Sequence, residues 1–207
     1  MRPVTSALCA LALVGAVGPA ALVPVAALAQ ASDPAAQQVQ RFDDTLLAAM
    51  KQGRSLGFRG RYSRLEPAVK ETFDLPLMIR FAVGQSWSTM SPSDQSALLA
   101  AFTRYSTSTW AKNFSSYSGQ RFEVGKVDTR GPDKLVHTQL ISSGEATDLA
   151  YRMRQTTSGQ WKVIDVYFNG SISQLSQQRA DYASTLASGG APALVKKIND
   201  LSDKAGG

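Results

Sequence analysis

The sequence predicts an α+β domain, and three observations carry that prediction. Apolar residues recur at helical spacing from residue 34 to about residue 113, four strand-like runs lie between 120 and 168, and helical spacing returns at Ser171. The runs are joined by "TRGPD", "SGEA" and "TTSG", which are turn chemistry, so a four-stranded antiparallel meander is the natural pairing. Helices from both ends of the chain then cover this sheet.

The first element is a targeting segment. Met1 and Arg2 precede "ALCALALVGAVGPAALVPVAALA", and Ala27-Leu28-Ala29 supplies a cleavage site, so residues 1–29 are expected to be a cleaved signal peptide and 30–207 one exported, periplasmic domain. A retained anchor is the competing reading, weakened by the glycines and prolines of the stretch. Cys9, the only cysteine, falls within it. The mature chain therefore offers no disulfide, no thiol nucleophile and no cysteine metal site. Leu8 also stands where a lipidation site needs a small residue, so no acyl anchor is expected.

Helices come next. Val39, Phe42, Leu46, Leu47 and Met50 define one buried face between Pro34 and Lys51, and a weaker pattern around Tyr62, Leu65 and Val69 covers Arg59 to Phe73. Asp74 and Pro76 then open a helix with Leu77, Met78, Phe81 and Ala82 as its apolar members. Ser91, Pro92 and Asp94 open another, lined by Leu98, Phe102, Tyr105 and Trp110. After the strands, Ile172, Leu175, Tyr182 and Leu186 face inward, and a last helix follows Pro192 with Leu194, Val195, Ile198 and Leu201.

Without residues 1–29 the chain carries 21 basic and 16 acidic side chains, spread without a run. This favours transient contact with anionic membrane surfaces or acidic partners, and no nucleic-acid motif is present. Catalytic sets are missing too. His137 is the sole histidine and has no metal-ligand spacing around it, and neither a nucleophile elbow nor a phosphate loop occurs. No cofactor and no metal are expected. Glu66, Glu71, Asp43 and Asp44 are expected to meet water.

Asp165 is the exception, a carboxylate inside "WKVIDVYF". Strict alternation places it with Trp161, Val163 and Tyr167 on one face, and Lys162, Ile164, Val166 and Phe168 on the other. A structural polar role is expected, with Arg152, Arg154 or Arg179 as partner. Leu149, Tyr151 and Met153 add an apolar stripe on the neighbouring strand.

"FDLPLMIRFAVGQSW", "SPSDQSALLAAFTRY" and "WKVIDVYFNGSISQLSQQRADYASTLASGGAPALVKKI" together resemble the MlaC family of lipid carriers, also called toluene-tolerance proteins, and more closely its hopanoid-associated HpnM branch. The family often has an acidic residue before the glycine that follows the last strand, whereas Asn169 precedes Gly170 here. The resemblance implies a non-enzymatic periplasmic carrier that takes phospholipid or hopanoid tails between sheet and helices and moves them between an inner-membrane ABC transporter complex and an outer-membrane partner. It would act as a monomer with transient membrane contact. Leu77, Met78, Phe81, Phe102, Leu149, Tyr151, Met153, Ile164, Val166, Phe168, Ile172 and Leu175 are the expected lipid-binding residues. Two other classes stay open: a small enzyme using Asp165 and Tyr167 on a hydrophobic substrate, and a solute-binding or adaptor protein without lipid cargo.

Overall fold

The computed structural model describes residues 33–169 and 171–206, so the expected signal peptide lies outside the described residues. Helix α1, Pro34–Lys51, starts where Asp33 accepts the Ala35 amide at 2.8 Å with proline at the first position. Helix α2, Gly53–Thr72, begins earlier than the apolar spacing implies. Gly57, at φ 60° and ψ −174°, joins two helical segments into one run, a backbone state that glycine adopts without penalty. Asp74 caps α3, Leu75–Val83, through the Leu77 amide, and Ser91 caps α4, Pro92–Asn113, through the Asp94 amide. A 3-10 segment, Gly84–Thr89, links them.

The sheet follows as β1 Arg121–Arg130, β2 Asp133–Ser142, β3 Glu145–Gln155, β4 Trp161–Phe168 and β5 Ile172–Ser173. All neighbours are antiparallel and in sequence order, so the meander has five strands rather than the expected four. The added strand is two residues long, too short to leave a pattern. Ile172, expected to face inward on a helix, belongs to it and is 44% exposed. A turn at Asn169 precedes it. Asn169 holds φ 48° and donates its amide to the Asp148 carbonyl at 2.9 Å, a left-handed position that asparagine tolerates well. Helix α5, Gln174–Gly206, closes the chain and bends at Gly190, φ 63°, two residues before Pro192; the expected last helix is its second half.

The helices cover one face of the sheet. Val136, Thr138, Leu149, Tyr151 and Met153 point at them and are buried, while His137, Gln139, Asp148 and the arginines of β3 lie on the other face. Phe42 of α1 is the centre of the packing: its ring makes edge contacts with Phe73 at 5.1 Å, Trp110 at 5.0 Å and Tyr151 at 6.5 Å. Trp110 leads on to Phe114 and Phe114 to Phe122, so one aromatic row joins α1, α2, α4 and β1.

Asp43 departs from expectation, because it is fully buried. It follows Val39 by four residues and precedes Leu46 by three, so the helical period puts it on the covered face of α1. The Tyr151 hydroxyl donates to Oδ1 at 3.3 Å, and Oδ2 has no partner among the described residues. Burial, with the nearby Asp44 charge, pushes its carboxyl well above the usual range against the pull of that hydrogen bond. At the start of β2, Lys134 bridges to Asp33 at 2.6 Å and lies 4.6 Å over the Trp161 ring, tying the head of α1 to the sheet. Asp133 beside it is buried on the far face and accepts from Arg152 at 2.7 Å and from Arg154 at 2.6 and 3.0 Å. His137 is paired with Asp128 at 2.9 Å on that same open face.

Two outcomes are expected. Gly53 sits against the turn after α4, where a Cβ would come within 2.0 Å of the Ser115 carbonyl oxygen, and the buried Arg61 donates to its carbonyl at 2.8 Å. Gly53→Ala should destabilise the domain by about 3 kcal/mol, seen as an earlier urea midpoint with an unchanged slope. Because the folded-state pKa of Asp43 is raised, the stability it contributes is fully present below the ordinary carboxylate value and is lost as pH rises through the raised one. Asp43→Asn should therefore raise the melting temperature at pH 7 by roughly 2–4 °C, about 1 kcal/mol for this size, and leave it nearly unchanged at pH 4.

Candidate ligand-binding cavity

A cavity of about 290 Å³ opens between the ends of β2 and β4 and helices α3, α4 and α5. Its floor is apolar: Phe73, Met78, Phe102, Trp110, Val166 and Phe168. The rim is made of amides and hydroxyls, among them Ser106, Thr109, Asn113, Gln120, Gln174 and Gln178. Among the described residues, no Lys, Arg, His, Asp or Glu lines it. The Gln178 Oε1 atom is buried without a hydrogen-bond partner among the described residues, so the rim holds an acceptor with spare capacity. Such a chamber can shelter an apolar body and hydrogen-bond an uncharged group, and it has no ionisable pair for acid–base chemistry.

The path of β4 decides what enters this space. Arg152 pairs with Asp165 and Met153 with Val163, so Ile164 is an extra residue, a β-bulge. Alternation is broken there. Val163 faces the helices as Val166 and Phe168 do, and Ile164, Asp165 and Tyr167 turn to the opposite side. The expected grouping of Val163 with Asp165 and of Ile164 with Val166 fails for this reason.

Of the twelve residues expected to bind lipid, Met78, Phe102, Val166 and Phe168 line the cavity. Leu149, Tyr151 and Met153 are buried in the core rather than at the cavity wall, Tyr151 against Phe42 and Asp43 of α1, and Leu77 is half-buried on α3. Phe81, Ile164 and Leu175 line a separate groove on the outer side of β4, and Ile172 is exposed. Met50, Phe73, Tyr105, Trp110, Phe114 and Leu140 also line it without having been singled out for it. Their signal was the placement of aromatics at the helix ends, with Trp110 and Phe114 four residues apart, and the sequence alone does not separate that from ordinary core.

Asp165 is buried, and among the described residues its partners are two backbone amides and a serine hydroxyl rather than an arginine. Its Oδ1 accepts the Val166 amide at 2.8 Å and the Leu175 amide at 3.1 Å, and its Oδ2 accepts the Ser173 hydroxyl at 2.6 Å. Arg152 and Arg154 go to Asp133 instead, which sits directly across β2 from Arg154 and diagonally from Arg152, even though Arg152 is the register partner of Asp165 on β4. Asp165 thus fixes the turn that brings Gln174 and Gln178 to the rim. Among the described residues, no group of three or more His, Cys, Asp or Glu is arranged to hold a metal ion, and no helix is long and apolar enough to cross a membrane.

Fold and chamber together define an α+β domain with an uncharged, apolar-floored cavity between a meander sheet and its helices. The chain belongs to the MlaC family, whose model, described as MlaC protein, matches residues 40–200. Among solved structures it is similar to a phospholipid-binding protein from Ralstonia solanacearum, determined in complex with a phospholipid. The TM-score is 0.74 at 19% identity, over 84% of this chain and 100% of that one. Comparison with curated proteins yields no match.

The Asp165 contacts set an expected order of effects. In Asp165→Asn the amide oxygen can still accept both backbone amides, and the Ser173 hydroxyl can turn to accept the new N–H, so the loss should be about 1 kcal/mol. Asp165→Ala leaves those buried donors unpaired and should lose about 3 kcal/mol. Denaturant titration of the two variants checks the order; equal losses would mean that the hydrogen bonds to backbone are not what the carboxylate supplies.

Proposed function

We propose that this protein is a periplasmic lipid carrier whose cavity holds the tails of a phospholipid or hopanoid and leaves the polar head at the amide and hydroxyl rim. The observation that carries this reading is the uncharged lining, apolar at depth and polar only at its edge. Membership of the MlaC family and likeness in fold to a phospholipid-binding protein support it. At about 0.8 kcal/mol per buried methylene, moving a lipid of roughly thirty methylenes through water unaided would cost on the order of 24 kcal/mol, so a covered route is needed. The cavity is small for two tails, so loading includes outward movement of its helical walls. Release requires affinities matched to donor and acceptor, here an inner-membrane ABC transporter complex and an outer-membrane partner. The polar residues at the rim bind rather than react, which favours a carrier over an enzyme.

Native mass spectrometry of gently purified protein should find lipid bound, and lipid extraction should identify it. Val166→Trp should fill tail volume: the expected result is loss of co-purifying lipid with little change in melting temperature. A variant that melts early, having lost about 1–3 kcal/mol to overpacking, yet still carries lipid would remove Val166 from the cargo path.

A further inference from the structure

Two of the three helices that wall the cavity, α3 and α5, also wall a second depression on the opposite side of β4. It is a groove of about 240 Å³, floored by Ile164, Tyr167 and Leu175 and edged by Phe81, Arg152, Arg154 and Arg179. Ile164 is buried at 2% exposure as the bulged residue, whereas Phe81 is 38% exposed, unusual for a ring of that size. Just beyond the groove Ile172 is 44% exposed.

The charge here is one-sided. Arg130, Arg152, Arg154 and Lys162 lie on or beside the outer face at this end of the sheet, with Arg179 across from them on α5. Among the described residues two carboxylates stand among them, Asp133 and Asp165, both buried with their oxygens committed to internal donors, and Asp128, two residues along β1 from Arg130, is offset by its ion pair with Lys126. An excess of three positive charges therefore faces solvent. Asp133 also holds the Arg152 and Arg154 guanidinium groups in place while their side chains stay 43% and 34% exposed. Arg179 makes no hydrogen bond or ion pair among the described residues. Arginine groups held beforehand lose little freedom on meeting a carboxylate, and Arg179 is free to form a new pair.

We propose that this groove docks an acidic protein partner through a segment in which one apolar side chain is flanked by carboxylates. The apolar side chain lies against Phe81, Tyr167 and Leu175, and the carboxylates meet Arg179 and the two arginines of β3. A bilayer surface fits less well, because it is flat and engages protrusions, whereas this floor is recessed between the sheet and α3 and α5. Docking here loads the helices whose other sides carry Met78, Gln174 and Gln178 into the cavity. The surface does not depend on lipid being the cargo, and its failure is separable from that of the carrier reading, which native mass spectrometry tests alone.

The test uses the folded protein and a fluorescein-labelled peptide with one phenylalanine between pairs of glutamates, followed by fluorescence anisotropy. Saturable binding at low salt, weakening as salt rises, is expected. Arg179→Glu and Phe81→Ser should each weaken it about tenfold, and Arg121→Glu, at the far end of the same face, should leave it within about twofold. Circular dichroism confirms folding; should Phe81→Ser fail it, Arg179→Glu decides alone, since that guanidinium lies over Gly84 without a hydrogen bond or ion pair among the described residues. Absence of binding, equal binding of a lysine-flanked peptide, or indifference to Arg179→Glu would overturn the proposal. So would binding to phosphatidylglycerol vesicles that falls in these variants without competition from the peptide, which would assign the groove to membranes.

Discussion

The single extra residue in β4 is the constraint on which the rest of this architecture depends. Without the bulge at Ile164, a strand as apolar as "WKVIDVYF" would send Val163 and Asp165 to the same side, and either a carboxylate would enter the helix-covered face or Val166 and Phe168 would leave it. With it, one short strand supplies core at Val163, cavity floor at Val166 and Phe168, and a capping carboxylate on the other side. The Asp165 bonds to the Leu175 amide and Ser173 hydroxyl then determine where α5 begins. A cavity rim and an external groove are both built from that helix start.

Packing at the opposite side of the cavity depends on Phe42. Three ring contacts converge on it from Phe73 just after α2, from α4 and from β3, so the helices are referenced to the sheet through one buried side chain. Phe73 and Trp110 belong both to this cluster and to the cavity floor. That wall of the chamber is therefore continuous with the aromatic core, whereas the opposite wall is made by α3 and α5.

Much of this was legible in the sequence because local chemistry is explicit at the element ends. Asp33-Pro34, Asp74 before Pro76 and Ser91-Pro92 mark helix starts, and the glycine turns separate the four long strands. The bulge was not legible, since every residue around Ile164 favours a strand and one surplus residue changes no composition. The two-residue β5 is invisible for a similar reason. Asp43 was legible in its spacing, but its charge argued more strongly for solvent than its period argued for burial, and burial prevailed because α1 is covered on a broad face. The cavity residues divide along the same line: Val166 and Phe168 follow from an apolar strand, while the face that Leu149, Tyr151 and Met153 share with them becomes core, because α1 lies on it.

The tie between Asp33, Lys134 and Trp161 has a geometric consequence. Lys134 and Trp161 start β2 and β4, whereas the cavity is reached at Leu140, Ser142 and Phe168, six or more residues along the same strands. At about 3.3 Å per residue this separates the two places by roughly 20 Å. A fusion partner, affinity handle or tether joined ahead of Asp33 would leave the domain from the end remote from the chamber, so the protein can be held on a support by its amino terminus with the mouth of the cavity unobstructed.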